Sequence, residues 1–231
     1  MALCALLQGP LLAEERKSPT LEKIRNYKAI YVGHREASVP FSYIDNAGKA
    51  VGYSMDLCDH IVEAVKVRLN LPDLEVVPVP TTSGSRQMML ESGITDLQCG
   101  SVTNTLQRQR YVAFSVTTFA AGVKALVKKE SGIRSIKDMR GKVIVTTSGT
   151  TSDTHVKAAA LRQGMFLNYR NDPEFKKLID ETLIGLMNTG EFARIYDKWF
   201  MSPIPPKGKS LNLPMSNLLK QLTVTPSDKG I

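Results

Sequence analysis

The 231-residue sequence has only three cysteines and three histidines. Neither set falls at metal-ligand spacing, so no credible zinc site exists. No run of eighteen apolar residues occurs, and nothing reads as a membrane span. No nucleic-acid motif is recognisable. The net charge of +8 is carried by Lys and Arg scattered among Asp and Glu. That pattern argues against a nucleic-acid groove and for an acidic small ligand or an anionic partner. Paired carboxylates and nucleophile-base sets are also missing: His34 and Glu36, flanking Arg35, are the sole candidates for acid-base work. No cofactor is implied. Cys4 is too near the start, in the wrong context, for lipid attachment. Cys58 and Cys99 could pair in an oxidising compartment, but sequence cannot establish their distance, and a buried free thiol is the expectation for each.

What is present is enough apolar content for a core, in a length that suits one large domain or two small ones. Residues 1–13, MALCALLQGPLLA, read as the tail of a secretory signal peptide lacking its positive start. A short helix is predicted over Leu21–Arg25 and a strand over Ala29–Gly33. Asp45–Lys49 has turn composition, so 41–44 and 50–53 form a hairpin. Met55, Leu57, Ile61, Val62, Val65 and Leu69 mark one face of a helix that Asn70-Leu71-Pro72 ends. Leu74–Val79 is a strand, Ser85–Ser92 a helix closed by Gly93, and Thr95–Cys99 a strand. This β-α-β-α-β order predicts an α/β fold with a parallel sheet.

Beyond it, 112–119 reads as extended, Gly122–Lys128 and Lys142–Thr147 as strands, and Ile136–Met139 as a helical turn. From Asn171 the chain is helical, with Phe175, Leu178, Ile179, Leu183 and Met187 on one stripe. A second helix, Glu191–Phe200, carries Tyr196, Trp199 and Phe200 as core or docking residues. Prolines 203, 205 and 206 end the fold proper. The tail is polar, apart from an amphipathic piece at Met215–Leu222.

The stretch 83–108 carries the chemistry. Arg86 follows Ser83 closely; Ser101 and Thr103 sit in a Gly-containing turn, and Arg108 comes five residues later. Guanidinium forks match carboxylates bidentately, and the hydroxyls surround them with neutral donors and acceptors. Either arginine alone would be read as part of a solvated helix face. Arg35 follows directly on a predicted strand, at the end where α/β sheets bind ligands. The Ser/Thr/Gly turn at 147–153 enters a helix and offers free N–H groups for an anion; N-capping by Ser152 or Asp153 explains it equally well.

The runs VGHREASVPFSY, VGYSMDLCDHIVEAV, TSGSR, LQCGSVTNTLQRQR, GKVIVTTSGTTSD, NDPEFKKLIDETL and YDKWF resemble the periplasmic glutamate/aspartate-binding proteins of amino-acid ABC transporters. The likeness runs in order from Leu21 to about Pro206. Ser54 stands where that family usually has an acidic residue, which suits its glutamate/aspartate branch. The resemblance implies a type II fold of two lobes, each with a mostly parallel sheet, closing on a ligand between them. It implies that Arg35, Ser83, Arg86, Ser101, Thr103 and Arg108 line the first lobe's side and Thr151 the second's. Ser101, Thr103 and Arg108 would hold the α-carboxylate, and Arg35, Ser83 and Arg86 the acidic side chain. Implied too are a periplasmic monomer, a membrane permease as partner, and no catalysis. An enzyme on the same scaffold, a dehydratase or cell-wall lyase accessory domain, is the alternative.

One departure matters. Between the helix starting near Thr154 and the one starting at Asp172, family members carry roughly 50–60 further residues, about half a lobe. These include a His and an Asp, the Asp pairing with the ligand's ammonium; here no Asp occurs between Asp153 and Asp172. The expected organisation is therefore 1–13 as signal remnant, 20–117 plus 171–206 as lobe 1, 118–170 as an incomplete lobe 2, and 207–231 as tail. The inherited function is expected to be impaired, and a nonfunctional remnant is a further alternative.

Overall fold

The computed structural model describes residues 18–122, 126–134, 138, 147, 150–154, 173–205 and 208–227. The signal-remnant reading lies outside these residues. So do the predicted turn at 136–139 and strand at 142–147, except for Asp138 and Thr147.

Helix α1 (Pro19–Tyr27) starts where the hydroxyl of Ser18 accepts from the Leu21 N–H, with Pro19 at its first position. It stops at Lys28, which adopts φ 53°. Strand β1 (Ala29–His34) follows, almost wholly buried. A strand covered on both faces needs a near-continuous apolar run, and AIYVG supplies one. β1 is the centre of a three-stranded parallel sheet, between β5 (Glu75–Pro80) and β6 (Leu97–Cys99). β5 holds Pro78 and Pro80, which cannot donate to a ladder, and it is an edge strand.

Between β1 and β5 the chain forms a small antiparallel sheet of β2 (Ala37–Ser38), β3 (Ser42–Ile44) and β4 (Ala50–Val51). It feeds helix α2 (Tyr53–Leu69) through Gly52. That residue has φ +140°, and a Cβ there would lie 2.4 Å from the Phe41 carbonyl oxygen. Only glycine fits, because the first α2 amides bond back to that segment: Tyr53 N–H to Pro40 O and Ser54 N–H to Phe41 O, both 2.8 Å. α2 ends at Asn70, φ 54°. Short helices α3 (Arg86–Glu91) and α4 (Leu106–Gln109) follow β5 and β6.

The carboxyl-terminal part returns as α5 (Pro173–Thr189), α6 (Glu191–Phe200) and α7 (Asn217–Val224). α5 and α6 pack on α2. Tyr196, Trp199 and Phe200 are buried, as predicted: Tyr196 and Phe200 in an aromatic cluster with Phe41, Tyr53, Phe119 and Phe192, and Trp199 edge-on to Tyr43 of β3. Asp56 on α2 accepts from the Trp199 indole at 2.7 Å and from Lys198 Nζ at 2.6 Å, which ties the two helices.

Two expectations are corrected and one is refined. Cys58 and Cys99 are not free thiols: they form a disulfide between α2 and the end of β6, their Cα atoms 6.3 Å apart. The packing of α2 against the sheet sets that distance. Segment 112–119, read as extended, joins no sheet, and from Val116 on its backbone partners lie far away in sequence. Val116 N–H donates to Asp180 Oδ1 at 2.7 Å, Thr117 N–H to Ser227 O at 2.9 Å, and Thr118 O accepts from the Tyr53 hydroxyl at 2.6 Å. The described part of 122–128 shows no strand either, and Lys129–Ser131 forms one 3-10 turn.

Candidate anion-binding cleft

All seven residues picked from the sequence except Thr151 follow the carboxyl ends of the three parallel strands. Arg35 comes directly after β1, Ser83 and Arg86 after β5, and Ser101, Thr103 and Arg108 after β6. Parallel alignment puts these ends on one side of the sheet, where open α/β sheets bind ligands.

Thr81 joins the three ends. Its N–H and hydroxyl both donate to the His34 carbonyl, at 2.8 and 2.9 Å. Its own carbonyl accepts from Arg35 Nη1 at 2.6 Å, and its hydroxyl oxygen accepts from Gln98 Nε2 at 3.1 Å. The loop after β6 then gathers the arginines. The stem of Arg35 crosses Gly100, where a Cβ would stand 3.0 Å from Arg35 Cγ. Arg86 Nη1 donates to Ser101 O at 3.2 Å, and Arg108 Nη1 to Thr103 O at 2.9 Å. Ser54, at the start of α2, donates to Gly100 O at 3.1 Å and holds the loop from below. The Thr103 hydroxyl lies 3.1 Å from that of Thr151, which brings the 151–154 turn to the same place. The cap of that turn is Thr150, whose hydroxyl accepts from Asp153 N–H at 3.2 Å, and not Ser152 or Asp153.

Arg86 is not on a solvated face: it is 4% exposed. Among the described residues neither it nor Arg35 has a carboxylate within ion-pair distance. Burial, and then the neighbouring Arg108 and Arg35, push the Arg86 guanidinium down to about 10. Burial lowers Arg108 as well. An unpaired buried cation is costly, and a ligand anion would supply the missing partner.

A cavity of about 660 Å³ opens here, with Ser54, Ser83, Arg86, Gln98, Arg108 and Thr118 among its lining residues. Arg35, Ser101, Thr103 and Thr151 stand beside it rather than in its wall. The sequence reading passed over Thr81 and Gln98; the available signal was a glutamine between buried Leu97 and Cys99. His34 is buried with Nδ1 3.2 Å from the Arg35 carbonyl, whereas Glu36 is exposed. Among the described residues no group of His, Cys, Asp and Glu could hold a metal ion, and no helix is long and apolar enough to cross a membrane.

Residues 30–202 match the family model of the bacterial extracellular solute-binding proteins, family 3. The chain is 38% identical to the glutamate/aspartate import solute-binding protein of Salmonella typhimurium, over 92% of this chain and 89% of that one. It is 36% identical to the protein of the same name from Escherichia coli, over 100% and 96%. That alignment has 289 positions against 231 residues here, so 58 positions face a gap within the chain. Among solved structures, a mutant of ArgBP from T. maritima superposes with TM-score 0.65 at 20% identity, over 78% of this chain and 98% of that one. The ancestral amino acid-binding protein AncCDT-1, a precursor of cyclohexadienyl dehydratase, gives 0.63 at 22%, over 78% and 99%. Both likenesses concern the fold, which is the expected type II α/β architecture in shortened form. The chain belongs to the bacterial extracellular solute-binding proteins, family 3.

Proposed function

We propose that this chain binds an acidic amino acid, L-glutamate or L-aspartate, in the cleft at the carboxyl ends of β1, β5 and β6. It presents that ligand to the permease of an ABC transporter, as a periplasmic monomer without catalysis. The observation that carries this is the convergence of three guanidinium groups on the 100–103 loop, with Arg86 buried and lacking a carboxylate partner among the described residues. Arg108, Ser101 and Thr103 take the α-carboxylate; Arg35, Ser83 and Arg86 take the side-chain carboxylate; Thr151 closes from the far side. The names of the relatives support the ligand class. The disulfide accords with an oxidising compartment outside the cytoplasm.

Lobe 1 comprises 20–117 and 171–206, the reduced lobe 2 is 118–170, and the tail starts at 207. The 58 unmatched positions support a shortened closing lobe and favour weakened binding over the relatives' full grip. Loss of one charge-assisted contact costs about 1.5–3 kcal/mol, roughly tenfold to a hundredfold in affinity. Isothermal calorimetry of the purified chain with L-glutamate, L-aspartate and L-lysine tests the proposal. Heat with the acidic pair alone is the expected result, and silence with both would overturn it.

A further inference from the structure

Gln98 is the middle residue of β6, and Cys99 beside it is bonded to α2, so by strand alternation Gln98 faces away from that helix. Its amide lies against Gly33 of β1, where a Cβ would stand 2.3 Å from Oε1. Its Nε2 donates to the Thr81 hydroxyl oxygen at 3.1 Å. The direction of that bond is fixed. The Thr81 hydroxyl gives its one proton to the His34 carbonyl at 2.9 Å, so toward Gln98 it can only accept. The amide must therefore present nitrogen to Thr81, and its oxygen is left buried with no partner among the described residues. A buried acceptor without a donor is unfavourable, and a methionine here would avoid it.

What the amide accomplishes lies one residue further. The Thr81 carbonyl accepts from Arg35 Nη1 at 2.6 Å, and Arg35 Nε donates to Ser38 Oγ at 3.4 Å. Among the described residues these are the bonds of the guanidinium, and Nη2 keeps both hydrogens for a ligand. The amide also takes up room beside the arginine. The place a Cβ on Gly100 would occupy lies 3.7 Å from Gln98 Nε2 and 3.0 Å from Arg35 Cγ. Gln98 thus acts on Arg35 twice, through Thr81 and by filling the space next to its stem.

We propose that Gln98 and Thr81 are positioning residues for ligand binding: the Gln98–Thr81–Arg35 chain of hydrogen bonds sets the direction of the Arg35 guanidinium before the ligand arrives. The inference rests on the anion-binding reading of the cleft given above and adds to it two residues that act through Arg35. A guanidinium already held in place loses less freedom on meeting a carboxylate than a mobile one.

Three variants test it. Gln98→Met keeps the length and removes the amide, Thr81→Val keeps the shape and removes the hydroxyl, and Thr81→Ser keeps the hydroxyl. Each is titrated calorimetrically with L-glutamate and L-aspartate beside the unaltered chain, and each is denatured with urea. Gln98→Met is expected to weaken binding about tenfold while its urea midpoint stays level or rises, because the unpaired oxygen is gone. Thr81→Val weakens binding by a similar factor and Thr81→Ser restores it. Gln98→Met and Thr81→Val combined lose no more than the larger single loss, since both work through one chain of bonds. Affinity that falls together with the urea midpoint in Gln98→Met would mark a merely structural residue and overturn the proposal. Unchanged affinity in Gln98→Met or in Thr81→Val would overturn it as well, with the anion-binding reading left standing. Silence of the unaltered chain with both amino acids would end that reading and this one with it.

Discussion

Arg86 donates from Nη1 to the carbonyl oxygen of Ser101 at 3.2 Å, which links the segment after one edge strand to the loop after the other. The bond spans the sheet's carboxyl ends and leaves a buried guanidinium with a single neutral acceptor among the described residues. Such a residue stabilises a complex at the expense of the empty protein.

Replacing Arg86 with methionine is therefore expected to abolish anion binding while raising the stability of the unliganded protein by about 1–3 kcal/mol. The freed Ser101 carbonyl belongs to an exposed residue and rehydrates. The pH dependence has a definite sign. The folded value of about 10 lies well below the ordinary arginine value that the unfolded chain keeps. Between those limits the unfolded chain holds more protons, so this residue's contribution to stability improves as pH rises. Below pH 10 both states are protonated and the penalty is constant. Urea denaturation of both proteins should show an unchanging gap near neutrality that narrows above about pH 10.

The Cys58–Cys99 bond closes a loop of 41 residues in sequence separation. Chain-entropy arguments give it about 4 kcal/mol of stabilisation. Cys58→Ala with Cys99→Ala should lower the urea midpoint accordingly, and the oxidised protein should lose a similar amount on reduction. Equal midpoints for the two forms would rule out a structural role.

Trp199 is the single tryptophan, and its indole donates to Asp56. Trp199→Phe keeps an aromatic ring and removes the donor, at a cost of about 1.5–3 kcal/mol for a bond to a charged acceptor. Circular dichroism melts measure the loss. In the unaltered protein, tryptophan fluorescence reports this one site, where α6 meets α2 and Tyr43 of β3.

Gly52→Ala should be among the most damaging single-methyl additions. It meets the Phe41 carbonyl and a backbone angle that side chains rarely adopt. A loss above about 2 kcal/mol is expected from strain and clash together. The read-out is the denaturation midpoint.

Much of this was legible in the sequence, for local reasons. The β1–α2–β5–α3–β6 order follows from apolar spacing and from stops such as Asn70, which depend on neighbouring residues only. The grouping of Ser83, Arg86, Ser101, Thr103 and Arg108 was legible because each follows a strand end. The burial of Arg86 was not, since an arginine near a helix start ordinarily faces water. Nor was the disulfide, whose partners meet only through tertiary packing. The anchoring of segment 112–119 was not legible either, since its β-branched composition says only that it is extended, while the bonds of Val116, Thr117 and Thr118 go to Asp180, Ser227 and Tyr53. Thr81 escaped notice because its role is carried largely by main-chain atoms, which are common to every residue type.

Those distant bonds have a mechanical corollary. Val116, Thr117 and Thr118 are each fastened to a different partner, and Phe119 stacks on Phe200 with ring centres 5.1 Å apart. The outgoing segment is thus clamped like the fixed leaf of a door up to its fourth rivet. Any swing of the chain on ligand addition must pivot beyond Phe119, so a spin label at 116 or 117 would stay still.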